Sequence, residues 1–323
     1  MRIIIVACYL LLGLTAHGLG ADYDPLQVAK YLPEPNDVAV PDEKRSREIP
    51  LRIYLPQDKA PAPVVLFSHG LGGNRQGNAY LGQHWAARGY GVVFVQHPGS
   101  DDSIWKDKPL LERMSALKKG AGFDNFLLRT QDIPVVINQL EKWNKEEKHF
   151  LAGRLDLAQL GMAGHSFGAV TTQAVSGQTF PLGKGFTEPR IKAAVMMSPS
   201  PPKLGDPNKA FGSVKIPWLL LTGTKDTSPL GDLSAEDRLK VFPALPPVDK
   251  YELVLAKAEH SAFGDRALPG ETEKRNPQHH RAVLAITTAF WDAYLRENKD
   301  AQQWLAGEEL KTVLESADVW RRK

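Results

Sequence analysis

Residues 160–175 read LGMAGHSFGAVTTQAV, and this stretch decides the fold. A short apolar run leads into the motif Gly164-His165-Ser166-Phe167-Gly168, and a helical pattern follows it. The pattern G-x-S-x-G between a strand and a helix is typical of a nucleophilic serine on a tight turn. Because so tight a turn leaves no room for side chains, the glycines are required, and we expect strained backbone at Ser166. The alternative interpretation is a glycine-rich turn in which Ser166 only caps the helix.

Apolar runs and helical patterns alternate along the rest of the chain. The runs that indicate strands are 49–55, 64–67, 91–95, 160–163, 193–197, 218–221 and 252–255. The helical patterns are 78–89, 125–144, 167–177 and 281–297. This alternation predicts an α/β fold with a mostly parallel central sheet and helices on both faces.

Three features of the chain bear on its organisation. Residues 22–46 are rich in Pro, Asp and Lys and are expected to form an extended N-terminal segment. Pro134 lies inside the second helical pattern and predicts a kink or a new helix start there. Because no repeat or low-complexity linker is present, we expect residues 21–323 to form a single domain.

The composition excludes several classes of protein. Of 323 residues, 42% are hydrophobic and 24% are charged, which is typical of a packed globular core. Disordered, collagen-like and multi-span membrane proteins are therefore excluded. Forty basic residues stand against 37 acidic ones without a basic block, so the charge does not indicate a nucleic-acid partner or an anionic membrane.

The N-terminus predicts export from the cell. Arg2 precedes an uncharged, mostly apolar run from Ile3 to Ala16, and small residues follow up to Ala21. This order is that of a signal peptide, assigned to residues 1–20, and it predicts a secreted or periplasmic protein. The run is shorter than the ~20 residues of a spanning helix, although a retained anchor is the alternative. The single cysteine, Cys8, lies in this run, so the mature chain would have neither a thiol nucleophile nor a disulfide.

A serine nucleophile needs a base and an acid that orients the base. In chain order after Ser166, Asp226 directly follows the run 218–221, and His260 lies just beyond the run 252–255. Parallel strands bring these positions to one edge of the sheet, so Ser166, His260 and Asp226 are the predicted catalytic residues. For Asp226, the alternative role is to start a turn.

Four other residues compete for these two roles. They are Asp206, Asp232, His279 and His280. Neither competing aspartate directly follows a buried strand, and both histidines precede the last helix, where we expect them to face solvent.

The loop after residues 64–67 is expected to stabilise a developing oxyanion. It reads Ser68-His69-Gly70-Leu71-Gly72-Gly73, and its small residues leave backbone N–H groups accessible. We assign the two donors to the N–H groups of Leu71 and Phe167. His69 is expected to orient this loop or to border a substrate pocket.

The segment after residues 91–95 should lie on the same edge of the sheet. Within it, Trp105 is expected either to line a substrate pocket or to anchor its own loop. Residues 106–124 carry Lys, Gly and scattered Leu and are a candidate for part of a lid.

Together these residues resemble the α/β-hydrolase superfamily. More narrowly, Phe67–Gly73 with Gly164–Gly168 resembles the dienelactone-hydrolase-like and platelet-activating-factor acetylhydrolase-like esterases. The resemblance covers roughly residues 48–296 and implies an α/β-hydrolase fold with esterase activity. Arg129 and Asp132 also match that group, and we interpret them as a structural pair. Dienelactone hydrolase itself has a cysteine where this chain has Ser166, so lactone hydrolysis is not implied.

The sequence therefore predicts an exported serine hydrolase that cleaves small or lipid-like carboxylic esters through an acyl-enzyme on Ser166. The alternatives are a peptidase or amidase on the same fold and a non-catalytic binding protein. We expect no cofactor, no metal, no nucleic-acid partner and no membrane span once the signal peptide is removed. The sequence does not indicate an oligomeric state.

Overall fold

A computed structural model describes residues 23–181, 185–231 and 233–323. The signal peptide predicted for residues 1–20, with Cys8, lies outside the described residues, as does Asp232. No helix among the residues that the structure describes is long and apolar enough to cross a membrane.

A nine-stranded sheet runs through the described part of the chain. Its strands are β1 (Pro35–Asp42), β2 (Arg47–Tyr54), β3 (Ala62–Ser68), β4 (Gly91–Val95), β5 (Leu155–His165), β6 (Ile191–Met197), β7 (Trp218–Lys225), β8 (Lys250–Glu259) and β9 (Val319–Arg322). Their order across the sheet is β1-β2-β4-β3-β5-β6-β7-β8-β9. Across the sheet, the six neighbouring strands β4, β3, β5, β6, β7 and β8 pair in parallel. Only the edge pairs β1-β2, β2-β4 and β8-β9 are antiparallel.

Helices cover both faces of the sheet. They are α1 (Ala79–Arg88), α2 (Leu110–Gly120), α3 (Phe123–Lys145), α4 (Phe167–Val175), α5 (Pro207–Phe211), α6 (Ala235–Arg238), α7 (Val241–Ala244), α8 (Pro277–Leu295) and α9 (Lys299–Ala306). On one face, Trp85 of α1 and Trp291 of α8 pack edge to face over the strands. On the other face, α3 packs through Ile133 and Ile137. This arrangement is the α/β-hydrolase fold, and the predicted fold class is confirmed.

The N-terminal segment is more ordered than the sequence indicates. Residues 35–42 of the expected extended segment form β1, which pairs antiparallel with β2 along its whole length. Val40 is buried in the same cluster as Ile49 and Leu51. Two prolines weaken the strand signal, but proline is tolerated in an edge strand, whose outer N–H groups need no partner.

The prediction of a new helix start at Pro134 is wrong, while the alternative of a kink stays a prediction. Helix α3 runs unbroken from Phe123 to Lys145 with Pro134 inside it. A proline in a helix interior costs about 3 kcal/mol. Ile133, Val136 and Ile137 surround it and are fully buried, so tertiary packing outweighs the local cost.

One buried carboxylate makes the stability of this sheet depend on pH. Glu252 of β8 lies opposite Arg321 of β9, fully buried, and neither of its oxygens accepts a hydrogen bond among the described residues. Burial raises the pKa of Glu252 to about 7, although Arg321, whose Nη1 lies 3.3 Å from Oε2, partly opposes this. Because the folded pKa exceeds the unfolded value of 4.5, the folded state is destabilised as pH rises from about 4.5 to about 7.

The variant Glu252→Gln should therefore be more stable than the parent by roughly 2–3 kcal/mol at pH 8, with little difference at pH 4. Urea unfolding at both pH values measures this. The exposed Glu48→Gln on β2 is the matched control and should show no such pH dependence. A Glu252→Gln effect of equal size at both pH values would contradict the argument.

Candidate active site

The turn that carries Ser166 is as strained as its sequence predicts. Ser166 lies between β5 and α4 with φ 57° and ψ −117°, a region that L-residues rarely occupy. A Cβ on Gly164 would lie 2.2 Å from the carbonyl oxygen of Gly168. A Cβ on Gly168 would lie only 1.8 Å from the carbonyl oxygen of Ser68. Both glycines are therefore required by close backbone approach.

The structure brings together the three side chains predicted for catalysis. Asp226 and His260 directly follow β7 and β8, so they reach the edge of the sheet where Ser166 lies. Ser166 Oγ is 2.8 Å from His260 Nε2, and His260 Nδ1 is 2.7 Å from Asp226 Oδ1. Since a carboxylate only accepts, Nδ1 carries the hydrogen and Nε2 is free to accept from the Ser166 hydroxyl.

The environment of Asp226 keeps it ionised. The carboxylate is fully buried, which by itself would raise its pKa. The hydrogen bond and charge of His260 and the charge of Arg238 outweigh burial and lower the pKa of Asp226 to about 2. Thr222 Oγ1 donates to the second carboxylate oxygen at 2.9 Å.

Arg238, a residue that the sequence analysis missed, ties the surrounding loops together. Its Nε donates to the Asp226 carbonyl at 2.7 Å and lies 3.0 Å from Asp226 Oδ1. Its Nη1 donates to the carbonyl oxygens of Ser198 and Pro199 at 2.9 and 3.1 Å, and its Nη2 lies 3.2 Å from His260 Nδ1. No motif marks this arginine, which comes from the short helix α6.

The predicted oxyanion loop lies against the serine. A Cβ on Gly70 would be 3.4 Å from the Cβ of Ser166. The backbone N–H groups of Leu71 and Phe167 have no acceptor among the described residues, so both remain available to a ligand.

His69 orients this loop. Its ring is only 3% exposed, and burial, with the charges of Arg129 and His97, holds its pKa well below the usual range. The neutral ring accepts from the His97 N–H at Nε2 (3.0 Å) and donates from Nδ1 to the Gly70 carbonyl (2.6 Å). So buried a ring offers almost no surface to a substrate, which favours the orienting role over the pocket.

Trp105 fixes its own segment to the oxyanion loop. Its Nε1 donates to the Gly72 carbonyl at 2.8 Å, and the Arg113 guanidinium lies over its ring, 5.4 Å from the centroid. The indole is partly exposed at the rim, so its contribution to a substrate pocket stays a prediction. Beyond it, the candidate lid segment contains α2, which presents Leu110 and Leu111 to solvent at 78% and 95% exposure.

The competing residues that the structure describes are engaged elsewhere. Asp206 caps α5 by accepting from the Asn208 N–H at 2.9 Å. His279 does not face solvent as expected, whereas His280 is partly exposed. His279 is buried with its Nε2 at the Ala256 carbonyl, and His280 stacks on Tyr80 at 4.0 Å between ring centroids.

Arg129 and Asp132 are not a direct pair, contrary to the sequence interpretation. Arg129 donates to neutral oxygens around the oxyanion loop. Asp132 accepts from His97, Arg45 and Arg47 instead. The partners of Arg129 therefore lie on β3, the loop after β4 and α4, whereas two of the three partners of Asp132 are Arg45 and Arg47, before and at the start of β2.

His165, which precedes Ser166 in the chain, donates a hydrogen bond to the backbone of His260. Its Nε2 donates to the His260 carbonyl at 3.0 Å, and the two rings lie 4.8 Å apart. Burial, with the charge of His260, lowers the pKa of His165 to about 3, so it is neutral and unsuited to act as a base at neutral pH.

Across the described ranges, no group of His, Cys, Asp and Glu side chains has the geometry of a metal site.

The chain is distantly similar in sequence to a cutinase. No family model matches the chain. It is 23% identical over 210 residues to the cutinase est2 of Thermobifida alba, an alignment that covers 65% of this chain and 56% of the cutinase. The chain thus matches little more than half the length of that relative. The narrower resemblance to dienelactone-hydrolase-like and acetylhydrolase-like esterases stays a prediction.

The close approach of Gly168 to the Ser68 carbonyl can be tested by measuring the free energy of unfolding of a variant. Gly168→Ala should destabilise the fold by about 1–3 kcal/mol, because the new methyl group collides with the Ser68 carbonyl. Gly77→Ala is the matched control, since its added Cβ would have 3.7 Å to the nearest atom. Urea denaturation followed by circular dichroism measures both. Equal stability of the two variants would contradict the predicted packing of the turn.

Proposed function

We propose that the protein is an exported serine hydrolase that cleaves carboxylic esters through an acyl-enzyme on Ser166. The observation that carries this proposal is the continuous hydrogen-bond chain from Ser166 through His260 to the buried carboxylate of Asp226. The similarity to a cutinase favours esters over amides as substrates. Export rests on the predicted signal peptide alone.

In the proposed acylation, His260 Nε2 takes the proton of Ser166 as Oγ attacks the ester carbonyl carbon. The N–H groups of Leu71 and Phe167 would stabilise the negative charge on the carbonyl oxygen. When the tetrahedral intermediate collapses, the imidazolium gives its proton to the leaving alcohol, and the acyl group stays on Oγ.

In the proposed deacylation, water replaces the alcohol. His260 takes a proton from the water, whose oxygen attacks the acyl carbon, and then returns a proton to Ser166 Oγ as the acid leaves. Asp226 holds the ring with Nδ1 protonated and stabilises the imidazolium throughout, which its low pKa permits. The proposed reaction needs neither a metal nor a cofactor.

The first test removes the nucleophile. Ser166→Ala should lower kcat on short-chain p-nitrophenyl esters by ~10⁴-fold or more, since neither attack nor acylation can occur. A fluorophosphonate probe should label the parent but not this variant. The exposed Ser316→Ala, outside the rim of the site, is the matched control and should behave as the parent.

Equal turnover by the parent and Ser166→Ala would remove the proposal. Cleavage of p-nitroanilide peptides without cleavage of esters would favour the amidase. Absence of fluorophosphonate labelling in the parent would favour a binding protein.

The second test concerns the acid. Asp226→Asn should lower kcat by ~10⁴-fold, because an amide can donate to His260 Nδ1 and so place the proton on the wrong nitrogen. The exposed Asp300→Asn on α9 is its control and should leave kcat unchanged. Retained activity in Asp226→Asn would show that another carboxylate orients His260.

A further inference from the structure

A fully buried arginine contacts three of the segments that surround the oxyanion donors. Arg129 of α3 is 1% exposed, and no carboxylate among the described residues forms an ion pair with it. Its Nη2 donates to Ser68 Oγ at 3.0 Å and to the carbonyl of His69. Its Nη1 donates to Ser100 Oγ at 2.9 Å, and its Nε to Thr171 Oγ1 at 3.0 Å. One planar group therefore joins β3, the loop after β4 and helix α4.

A buried cation without a direct counter-ion is costly, so its position calls for a physical reason. Burial lowers the pKa of Arg129 to about 9, and the guanidinium nevertheless stays charged at neutral pH. The nearest acid on the same helix, Asp132, is reached only through Ser68 and His97. The Ser68 hydroxyl, which accepts from Arg129, donates to His97 Nε2 at 2.9 Å, and His97 Nδ1 donates to Asp132 Oδ2 at 2.8 Å.

The first oxyanion donor, the Leu71 N–H, lies one peptide beyond the peptide that Arg129 holds, and the His69 ring connects the two. The guanidinium binds the His69 carbonyl, and the His69 ring donates to the Gly70 carbonyl. In a trans peptide the C=O and N–H point in opposite directions. Fixing the Gly70 carbonyl therefore fixes the direction of the Leu71 N–H.

The second oxyanion donor is also linked to this arginine. The guanidinium carbon lies 4.6 Å from the centroid of the Phe167 ring. Thr171 Oγ1, which accepts from Arg129, donates to the Phe167 carbonyl at 3.0 Å. The side chain and the backbone of Phe167 are thus both restrained by one group.

We propose that Arg129 is a positioning residue that holds the N–H groups of Leu71 and Phe167 in the relative orientation needed to bind one oxyanion. This inference rests on the proposed function. It matters for rate because oxyanion donors act only when preorganised, and a displacement of about 1 Å costs ~10²-fold. Lysine keeps the charge but cannot reproduce the planar fork that reaches several acceptors at once.

The test uses Arg129→Lys, with each rate divided by the active sites titrated with a fluorophosphonate. We expect kcat per titrated site to fall ~10²-fold with KM changed less than threefold, since the donors act mainly in the transition state. A purely structural role would lower the melting temperature and the fraction of titratable sites but leave kcat per site unchanged. Arg190→Lys is the matched control, because Arg190 also binds several oxygens, those of Glu188, Glu141 and Asn138.

Two milder variants keep the proposal falsifiable if Arg129→Lys fails to fold. Thr171→Val removes the link to Phe167 and should lower kcat per site about tenfold. Ser100→Ala removes an Arg129 contact that touches neither donor peptide and should change kcat less than twofold. Equal effects of these two variants, or parent-like kcat per site in Arg129→Lys, would overturn the inference. If that happens while Ser166→Ala is inactive, the proposed function still stands.

Discussion

The close approach of Gly168 to the carbonyl ends of β3 is the constraint on which the rest of the site depends. In the parallel register, Ser68 of β3 lies beside Gly164 of β5, so both strands end at the same level. The helix that follows β5 then starts directly against the Ser68 and His69 carbonyls, with no space for a Cβ at residue 168. This contact lies beside Ser166, which has a positive φ of 57°, and brings the glycine-rich loop next to it. One backbone contact thus joins the turn of the nucleophile to the glycine-rich loop.

Buried arginines then hold the loops that the strands alone cannot fix. Arg238 joins the segments after β6 and β7 through carbonyl acceptors and lies beside the Asp226 carboxylate. Arg129 joins the segments after β3 and β4 to helix α4. Loops have carbonyl groups that the sheet does not satisfy, and a guanidinium with five donors binds several of them at once.

The sequence was most informative where a polar residue directly follows a buried strand. Ser166, Asp226 and His260 were found this way, because continuous apolar runs mark parallel strands and their carboxyl ends meet at one edge. The strand β1 was missed because its prolines hide the alternation, and Pro134 misled because its cost is local whereas the packing of α3 is tertiary. Arg238 could not be found, since several of its hydrogen bonds go to carbonyl groups, which every residue has.

His279 and His280 show a related limit of sequence reasoning. Both stand in the first turn of α8, and polar residues there are usually exposed. The segment 256–264 lies against the helix start and offers carbonyl oxygens to both rings. This contact buries His279 and partly covers His280. The residue pattern of one helix contains no information about a separate loop that covers the helix in the folded chain.

The strongly restrained parts of the site and its weakly restrained parts lie on different segments. The groups around the reacting atoms are strand ends, a helix start and buried arginines, each with several hydrogen bonds. The rim above them is formed by the segment of Trp105 and by α2, whose Leu110 and Leu111 are almost fully solvent-exposed. Few tertiary contacts constrain those side chains, so they can change without disturbing the Ser166–His260 geometry. In this chain the geometry of the candidate site is therefore set by the sheet, while the fold constrains the exposed side chains of the rim much less.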